Sequence, residues 1–448
     1  MDMNKRILQL TFPNIITNIT VPLLGMADLV IAGHLGNPVF IGAIAMGTTI
    51  FNFIYWNCGF LRMGTSGFAA QAFGANAPAE AVAVLVRGLL IAVTISTVII
   101  ALQNPVLKIF LHFIDGSNEM KHFTTQYFAV RVWAAPATLS LYCFKGWFVG
   151  MQNPRIPMFI AILMNVLNIA FSCFFVFVCQ LNIAGVALGT VLAQYGGLSL
   201  AIIFWYRDYY HKYSMSWNWK KMVRWKKMKV FFKVNTDIFF RSLCLSCVFA
   251  YFPVAGAKID DNTLAVNTLL LQFFTIFSYI MDGFAYAGES LAGRFIGAKD
   301  EHSLRQMIRL IFRWGLGVST AFTIVYALWG TRLLILFTEH EQIVHLARQY
   351  YGWVLLVPLA GFAAFLWDGI YVGATASREM LISMLLATAV FFATCFLLEK
   401  TYPNNALWIA LLLFLSSRSI IQTIFSRKCL KISETKVAWD THKKIKDG

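Results

Sequence analysis

Asp28 is the residue of this chain best placed to exchange a proton or a small cation. It stands in the run Gly-Met-Ala-Asp-Leu-Val-Ile-Ala, near the far end of the first long apolar segment. An acidic side chain in a hydrocarbon environment is energetically costly, so it is a candidate functional residue by default. Burial also favours the protonated form of a carboxyl group over the charged form, as a proton carrier requires. The alternative is a hydrated carboxylate at a membrane interface, with no chemical role.

Polar side chains at one-turn spacing in two later apolar segments can serve this carboxyl group. Asn165 and Asn168 share one segment, and Thr190 and Gln194 share the next. Amide and hydroxyl groups on membrane helices form hydrogen bonds between helices, and each such bond contributes about 0.6 kcal/mol. The four side chains are therefore either partners of Asp28 or simple links between helices, and their spacing leaves both interpretations open.

The second half of the chain carries further charged side chains in apolar segments. Asp237 and Arg241 are four residues apart, so on a helix they share one face and are expected to form a structural ion pair. Asp282 and Glu289 are seven residues apart, which is two turns along one helix face. Glu289 could pair with Arg294, so a gating contact and a direct part in ion movement both stay open for these two acids.

Lys145 and Asp368 each stand immediately before a Gly-x-x-Val-Gly motif, at 146–150 and 369–373. Opposite charges at equivalent places could meet, and we hypothesise such a pair. In the alternative, each side chain extends along its own segment to the membrane boundary. If Asp368 is instead unpaired, it could attract a cationic molecule.

The composition requires that these residues belong to a membrane protein. Hydrophobic residues make up 58% and charged residues 13% of the chain of 448 residues, whereas soluble domains carry about 25% charged residues. The apolar runs are about twenty residues or longer, which is the length of a spanning helix and not of a barrel strand. The predicted fold class is therefore an all-α polytopic membrane protein.

The apolar runs predict twelve membrane helices. They cover residues 7–33, 39–72, 84–111, 123–149, 156–179, 183–206, 232–256, 264–293, 304–330, 343–373, 379–399 and 405–426. Basic residues concentrate in two segments, with nine Lys or Arg at 207–233 and seven at 427–448. Because cytoplasmic loops are rich in Lys and Arg, both chain termini are expected in the cytoplasm.

The two halves of the chain repeat each other at an offset of 223 residues. Besides the two Gly-x-x-Val-Gly motifs, Gly74-Ala75 matches Gly297-Ala298 at this offset. A unit of six helices crosses the membrane an even number of times, so both copies begin on the same side. The prediction is two six-helix lobes related by a parallel internal repeat, with the N-lobe at 1–206, a basic cytoplasmic linker at 207–231, the C-lobe at 232–426 and a basic cytoplasmic tail at 427–448.

Several other classes of protein are disfavoured. The net charge of +16 does not lie on a soluble domain, so no nucleic-acid partner is expected. Cys244 and Cys247 have the spacing of half a zinc site without a second half, so no metal is expected there. The eight histidines are scattered, which disfavours a membrane-embedded transferase, and no nucleotide-binding loop is present. We therefore predict no enzymatic activity.

Short motifs occur in a fixed order along residues 7–426. In the first half they are Pro13-Asn14, Pro22-Leu-Leu-Gly-Met-Ala-Asp28, Gly33-His-Leu-Gly36, Arg62-Met-Gly-Thr-Ser-Gly67 and Gln71-Ala-Phe-Gly-Ala75. In the second half they are Asp237-Ile-Phe-Phe-Arg241, Asp282-Gly-Phe-Ala, Glu289-Ser-Leu-Ala-Gly-Arg294 and Asp368-Gly-Ile-Tyr-Val-Gly-Ala374. The ordered set resembles the multidrug and toxic compound extrusion (MATE) transporters, in the branch similar to DNA-damage-inducible protein F.

This resemblance implies two lobes around a central cleft and export driven by the inward movement of H⁺ or Na⁺, without a cofactor. It places the cation site of the N-lobe at Asp28, beside an amide and a hydroxyl that Asn168 and Thr190 match. Family members often carry an acid one turn after Asn168, where this chain has Ser172. A bound Na⁺ would lose a charged ligand there, which favours H⁺ and leaves Na⁺ at Asp28 as the alternative.

The function predicted from the sequence is export of amphipathic, cationic organic compounds by antiport with H⁺, with alternating access between the lobes. The expected partners are these small molecules and membrane lipids, and the expected state is a monomer in a bacterial inner membrane. The alternative is a flippase for lipid-linked precursors in the same superfamily. The intramembrane charges are of mixed sign, which disfavours a site for a diphosphate.

Overall fold

The structure is a computed structural model that describes residues 2–113, 116–211, 222–338 and 340–429. Most of the tail predicted at 427–448 and the middle of the linker predicted at 207–231 lie outside these described residues. Within them the chain consists of helices and short connections, without a β-strand. The predicted all-α polytopic fold is confirmed.

The first half of the chain forms the helices α1 to α9. They are α1 (Met3–Gly33), α2 (Pro38–Asn57), α3 (Phe60–Gly74), α4 (Pro78–Ala101), α5 (Gln103–Phe113), α6 (Asn118–Arg131), α7 (Ala135–Gly150), α8 (Arg155–Cys173) and α9 (Asn182–Trp205). A 3₁₀ turn at Val132–Ala134 joins α6 to α7, and π-helical turns at Phe174–Val178 and Tyr206–Tyr210 extend α8 and α9.

The second half forms six longer helices in the described residues. They are α10 (Trp225–Ile259), α11 (Asp261–Gly297), α12 (Glu301–Phe337), α13 (Glu341–Gly373), α14 (Ser377–Leu398) and α15 (Pro403–Cys429). Across the described residues of both halves, eleven helices are long and apolar enough to cross a membrane. The remaining predicted crossing, at 123–149, corresponds to α6 and α7 together, and twelve crossings are consistent with the structure.

Prolines divide two of the predicted helices. Pro136 lies in the first turn of α7, where a missing N–H leaves no helical hydrogen bond unmade, so the chain begins a new helix there. The helix predicted at 84–111 is likewise two helices, α4 and α5, with the break at Leu102. Pro105 cannot donate to the carbonyl oxygen of Ala101, four residues earlier, which explains why the helix ends at that point.

The internal repeat is visible in the backbone at helix ends. Asn76 and Lys299, 223 residues apart, have positive φ angles of 51° and 58°. Gln152 and Thr375, with φ angles of 61° and 54°, form a second pair at the same offset. L-residues adopt this conformation rarely, and a left-handed residue after a helix satisfies its last carbonyl groups. The repeated motifs therefore fold into repeated structure.

Glycines at equivalent places let two pairs of helices touch through their backbones. A Cβ atom added at Gly146 of α7 would lie 2.2 Å from the carbonyl oxygen of Arg62 in α3. A Cβ atom added at Gly369 of α13 would lie 2.0 Å from the carbonyl oxygen of Ala285 in α11. Such close approach between membrane helices requires small residues. The Gly-x-x-Val-Gly motif is thus a packing motif that occurs once in each half.

The chain divides by its internal contacts into two compact units, residues 16–231 and residues 1–15 with 232–448. The first fifteen residues, which the sequence-based division assigns to the N-lobe, group here with the second half. In that unit Trp408 is fully buried, and its indole N–H donates to Asn267 Oδ1 at 3.0 Å. Asn267 Nδ2 in turn donates to Asn404 Oδ1 at 2.7 Å, which joins α11 to α15.

Acidic caps fix the start of α11 and α12. Asp260 accepts a hydrogen bond from the Thr263 hydroxyl at 2.6 Å and another from the Thr263 backbone N–H at 2.8 Å. Asp300 accepts one from the Ser303 backbone N–H at 3.0 Å. Hydrogen bonds from the Thr263 and Ser303 side chains, and then from their backbone N–H groups, hold the pKa of both aspartates below the ordinary value of a carboxyl group. These caps satisfy N–H groups that the first helical turn leaves open.

Candidate functional site

Asp28 lies on the last turns of α1 and is 1% exposed. Asn168 Nδ2 on α8 donates to Asp28 Oδ1 at 3.2 Å, and the Thr190 hydroxyl on α9 donates to Oδ2 at 3.2 Å. Asn168 Nδ2 also reaches Thr190 Oγ1 at 2.9 Å. Three of the side chains predicted at this site, far apart in sequence, therefore form one hydrogen-bonded network.

The other three predicted side chains lie on α8 and α9 with different contacts. Asn165 Nδ2 donates to the carbonyl oxygen of Thr20 at 2.9 Å, which links α8 to α1. The Ser172 hydroxyl is buried and faces the carbonyl oxygen of Val186 at 3.5 Å. Gln194 is buried in α9, one turn beyond the network. Asn165 thus matches the simpler interpretation of a link between helices.

The packing of α8 against α9 gives a physical reason for Ser172. A Cβ atom added at Gly189 would lie 2.3 Å from Ser172 Oγ and 2.5 Å from the Ser172 backbone nitrogen. The two helices are therefore as close here as a glycine and a small hydroxyl side chain allow. An acidic side chain at residue 172, with its longer stem and its need for hydrogen-bond donors, would be crowded against α9.

A fourth partner of Asp28, Arg131, comes from α6. Arg131 Nη1 lies 3.3 Å from Asp28 Oδ2 and donates to the Tyr127 hydroxyl oxygen at 2.9 Å. Arg131 is the last residue of α6, where the helix dipole favours a positive charge. The carboxylate that the sequence presents as a lone acid is thus half of a buried ion pair.

Aromatic rings of α2 and α6 surround the guanidinium group. The Arg131 Cζ atom lies 5.7 Å from the ring centroid of Phe51 and 5.7 Å from that of Tyr127. A Cβ atom added at Gly47 would lie 2.5 Å from the Tyr127 ring, so this glycine makes room for the tyrosine between α2 and α6. Rings attract a cation through their faces, more strongly where water is excluded. Arg131 is therefore held by partners other than Asp28 as well.

Sequence reasoning did not select Arg131 or Tyr127. Arg131 lies inside the helix predicted at 123–149, one turn after Tyr127. The rule that selected Asp28, that a charge within a membrane helix is a candidate functional residue, applies equally to Arg131. The rule could therefore have selected Arg131 as a candidate residue, but it could not predict that Arg131 contacts Asp28.

The Asp28 network is neutral in total charge and is composed mainly of donors. An ionised carboxylate only accepts hydrogen bonds, and Asp28 faces donors on both of its oxygens. Among the described residues, Asn168 Oδ1 and Arg131 Nε are buried atoms without a hydrogen-bond partner. The network can therefore form one further hydrogen bond at an acceptor and one at a donor.

Asp368 of α13 is the centre of a second buried cluster, in the other unit. Arg241 of α10 and Arg418 of α15 both donate to Asp368 Oδ2. Gln422 Nε2 of α15 donates to Asp368 Oδ1 at 2.7 Å. All four residues are less than a tenth exposed. Two guanidinium groups on one carboxylate give these four residues a charge of +1, and Asp282 interacts electrostatically with Arg418 nearby.

These contacts show that two expectations from the sequence were wrong, one about Asp368 and one about the partner of Arg241. Asp368 is not an unpaired acid that could attract a cationic molecule, because two arginines already hold it. Helical spacing paired Asp237 with Arg241, but in the structure Asp237 accepts from the Ser377 hydroxyl at 2.7 Å, and Arg241 donates to Asp368. Sequence reasoning missed Arg418 and Gln422, which are four residues apart on α15.

The contacts of three further predicted residues do not test the roles that the sequence suggested for them, so these roles stay predictions. Glu289 is 1% exposed, and its carbonyl oxygen would lie 2.3 Å from a Cβ atom added at Gly373. Asp282 and Lys145 are half-buried. Each of the three takes part in at least one polar or electrostatic interaction. The hypothesised pair between Lys145 and Asp368 also stays a prediction.

A third cluster, which was not predicted, fastens the end of the basic linker to α4. Glu80 accepts hydrogen bonds from Arg87 at 2.7 Å and from Lys227 at the start of α10. Arg87 Nε also donates to the carbonyl oxygen of Met222 at 2.7 Å. Arg87 is 2% exposed, so its two bonds join buried groups. Part of the positive charge of the linker is thus used for a structural contact.

Comparison with known proteins adds the family context of these sites. The sequence profile of the MatE family matches residues 13–174 and 238–397. DNA damage-inducible protein F of Escherichia coli (strain K12) is 35% identical over 417 residues, which is 93% of this chain and 90% of that protein. A probable multidrug resistance protein NorM of Bacillus anthracis is 19% identical over 429 residues, 92% of each chain.

The fold also matches solved structures. One is described as the outward-facing conformation of a multidrug resistance MATE family transporter of the MOP superfamily. It aligns with a TM-score of 0.82 at 18% identity and covers 97% of this chain and 98% of that chain. At this identity the match supports the fold alone. Asp28 and Asp368 both lie within the residues that the MatE profile matches.

Proposed function

Because the chain belongs to the MatE family of membrane transporters, we propose that it exports small organic compounds from a bacterial cell in exchange for protons. Membership makes the protein a multi-pass membrane transporter and not an enzyme. The proposal adds two finer statements to the family assignment. One is that the coupling ion is H⁺, and the other is that Asp28 carries it.

The observation that carries this proposal is a buried carboxylate whose partners can serve both of its protonation states. The Thr190 hydroxyl, which donates to ionised Asp28, has a second acceptor in the carbonyl oxygen of Val186 at 3.1 Å. Once Asp28 is protonated, Thr190 can donate to Val186 and accept the new hydrogen of the carboxyl group. A buried polar group is costly only when it lacks a partner. Loading and unloading of a proton therefore leaves neither the carboxyl hydrogen nor the Thr190 hydroxyl hydrogen without a partner.

The second argument for H⁺ is the number of carboxylates. Asp28 is the one acidic side chain in its network, and Ser172 stands where the family often has another acid. Hard cations bind to several oxygen ligands, among which carboxylates contribute most of the compensating charge. A proton needs only one oxygen atom. A site with a single carboxylate therefore suits a proton better than Na⁺.

The proton gradient is sufficient in magnitude for such export. One positive charge that moves inward gains about 2.3 kcal/mol per 100 mV of membrane potential. One pH unit adds about 1.4 kcal/mol. With 100 mV and one pH unit together, one proton can thus support a concentration gradient of roughly several hundred-fold for a neutral compound. For a monovalent cation the outward charge movement cancels the electrical part.

We further propose that the substrates are amphipathic and cationic, and that the protein works as a monomer in the inner membrane. Aromatic residues make up 15% of the chain, and aromatic faces attract flat organic cations. Both termini are proposed to be cytoplasmic, because the basic segments at 207–233 and 427–448 are expected on that side.

The test is efflux from proteoliposomes of fixed orientation loaded with ethidium. A pH gradient without Na⁺ is compared with a Na⁺ gradient at constant pH. Wild-type protein is expected to show efflux driven by the pH gradient, and Asp28→Asn is expected to lose it, because an amide cannot take up a proton. Asp261→Asn is the matched control, since it makes the same chemical change at an exposed acid at the start of α11.

Each other outcome has a defined meaning. Full proton-driven efflux in Asp28→Asn would move the coupling site away from α1 and contradict the proposal. Efflux driven by Na⁺ alone would show that the coupling ion was wrongly assigned. Absence of ethidium efflux under both gradients, with correctly inserted protein, would favour the flippase as the next function to test with fluorescent lipid.

A further inference from the structure

Arg131 occupies the side of Asp28 that an inorganic cation would need. Its Nη1 atom lies 3.3 Å from Asp28 Oδ2, on the same oxygen to which Thr190 donates at 3.2 Å. Asn168 Nδ2 donates to the other oxygen at 3.2 Å. Both carboxylate oxygens therefore face donor hydrogens. Donor hydrogens carry partial positive charge and repel a cation placed among them.

A cation such as Na⁺ also lacks oxygen ligands at this site. Hard cations require several oxygen ligands around them. Apart from the carboxylate, the oxygens on the side chains from α8 and α9 that donate to Asp28 are Thr190 Oγ1 and Asn168 Oδ1. Thr190 Oγ1 already accepts from Asn168 Nδ2 at 2.9 Å. Asn168 Oδ1, a buried acceptor without a hydrogen-bond partner in the described residues, is thus the one of these two oxygens that accepts no hydrogen bond yet.

A proton and Na⁺ add the same charge to the pair, so the discrimination comes from coordination. A proton bonds covalently to one carboxylate oxygen and needs a single acceptor, for which Asn168 Oδ1 and Thr190 Oγ1 are available. Na⁺ needs space and a shell of oxygens, and the guanidinium group fills that space. The same network can therefore accept one ion and exclude the other.

Arg131 remains held when Asp28 is neutralised. Its Nη1 donates to the Tyr127 hydroxyl at 2.9 Å, which is a shorter contact than that to Asp28, and the rings of Phe51 and Tyr127 lie over it. The titratable groups that face the pair are Tyr127 from α6 and Tyr55 from α2. From α8 and α9 the facing groups are uncharged. The guanidinium group thus has no need to leave the site when the proton binds.

We propose that Arg131 is the resident cation of the Asp28 site and that it restricts this site to protons. The inference rests on the proposed function only in that Asp28 is the coupling residue. Arg131 is a positioning and specificity-determining residue in this scheme. It acts by filling the cation position beside the carboxylate and by presenting donors where Na⁺ would need ligands.

The test is to remove the resident cation and supply an oxygen in its place. In Arg131→Gln the site has the Asp28 carboxylate without its counter-charge, together with the oxygens of Thr190, Asn168 and the new amide. The melting temperature of the full chain in detergent is measured at pH 8 as N-methylglucamine chloride is replaced by NaCl at constant ionic strength. Arg131→Gln is expected to melt about 1–2 °C higher for each tenfold rise in Na⁺ above its dissociation constant.

Two controls separate ion binding from general effects of salt or folding. Arg131→Lys keeps the positive charge, so it is expected to behave as the wild type, with no response specific to Na⁺. The double variant Arg131→Gln with Asp28→Asn lacks the carboxylate and is expected to lose the response. If Arg131→Gln does not fold, Arg131→Met, which is uncharged and of similar length, replaces it in the same titration.

Two results would overturn the inference. One is a wild-type protein that Na⁺ stabilises and whose response disappears in Asp28→Asn. The other is folded, neutral variants of Arg131 that show no response to Na⁺. Because melting is measured without a gradient or a substrate, these results are independent of ethidium efflux. A failure of proton-driven efflux therefore contradicts the proposed function, and a failure of the Na⁺ titration contradicts the role of Arg131.

Discussion

Asp28 and Asp368, one in each unit, are both buried carboxylates that arginine side chains hold, but the number of arginines differs. Asp28 has one arginine, an amide and a hydroxyl as partners. Asp368 has two arginines and an amide. Removal of one partner from a buried ion pair is costly, and at Asp368 two buried guanidinium groups depend on the same carboxylate. At the scale of residues, we therefore place the proposed proton exchange at Asp28 and expect Asp368 to form a structural contact.

The charge balance of the Asp368 cluster predicts unequal effects of two substitutions. Asp368→Asn removes a carboxylate to which both arginines donate, and it is expected to destabilise the protein by about 3–5 kcal/mol. Arg418→Met leaves the ion pair between Arg241 and Asp368 and places an apolar side chain of similar length in α15. It is expected to cost clearly less, since it removes the excess charge. Thermal and denaturant unfolding in detergent would measure both.

An exposed acid provides the control for this pair. Asp261→Asn makes the same chemical change as Asp368→Asn at the surface, and such substitutions usually stay within about 0.5 kcal/mol. Equal destabilisation by Asp368→Asn and Arg418→Met would contradict the charge argument. It would indicate that packing around the cluster, and not the number of carboxylates, determines its stability.

At the scale of elements, glycine contacts determine how closely the helices pack. Gly146→Ala and Gly369→Ala would each place a methyl group against a backbone carbonyl oxygen, 2.2 Å and 2.0 Å away before relaxation. Overpacking of this kind costs about 1–3 kcal/mol. Because the two glycines are repeat equivalents, we expect a lower melting temperature in both variants, by a similar amount.

Gly317 of α12 is a matched control for these substitutions. It is a helical glycine, and a Cβ atom added there meets nothing within 4 Å. Gly317→Ala is expected to leave stability unchanged or to raise it by up to about 1 kcal/mol, because alanine favours the helix. Destabilisation by Gly317→Ala as large as that by Gly146→Ala would show that loss of helix flexibility, and not steric contact, causes the effect.

At the scale of the whole molecule, the two halves of the chain share backbone features but differ in their buried charged residues. The left-handed residues and the close glycines recur at the offset of 223 residues. The charged residues of the two buried clusters do not recur, since the equivalent of Asp368 is Lys145 and that of Arg241 is Asn18. The two copies thus share the packing of helices and differ in the polar side chains of these two buried clusters.

The distribution of basic residues predicts the orientation of the whole molecule. Green fluorescent protein fused after residue 448 is expected to fluoresce, and alkaline phosphatase at the same place is expected to be inactive, because the end of the chain is predicted in the cytoplasm. Phosphatase inserted after Ser117, in the loop predicted outside, is the paired fusion and should be active. The reverse pattern at both places would contradict the predicted orientation.

Local patterns in the sequence were sufficient to predict the fold class, the internal repeat and one central site residue. Apolar runs of twenty residues can only be helices in a membrane, and identical motifs at one offset fold alike, so the fold class and the repeat followed from the sequence. Asp28 was also selected as a candidate, because a charge in an apolar segment is rare, and the family resemblance added Asn168 and Thr190, whose side chains donate to Asp28 in the structure. Each candidate could be selected from the sequence of its own helix, without knowing which other helices pack against it.

Only the tertiary structure determined which charges meet. Arg131 follows Asp28 by 103 residues, and Arg418 and Arg241 lie 50 and 127 residues from Asp368. Helical spacing predicts partners three or four residues apart, and therefore it assigned Arg241 to Asp237 and left Asp28 and Asp368 without arginines. Over such separations, partners depend on which helix faces pack together. That choice is made by dispersed contacts such as those at Gly47 and Gly189, whose combined effect no local pattern in the sequence reveals.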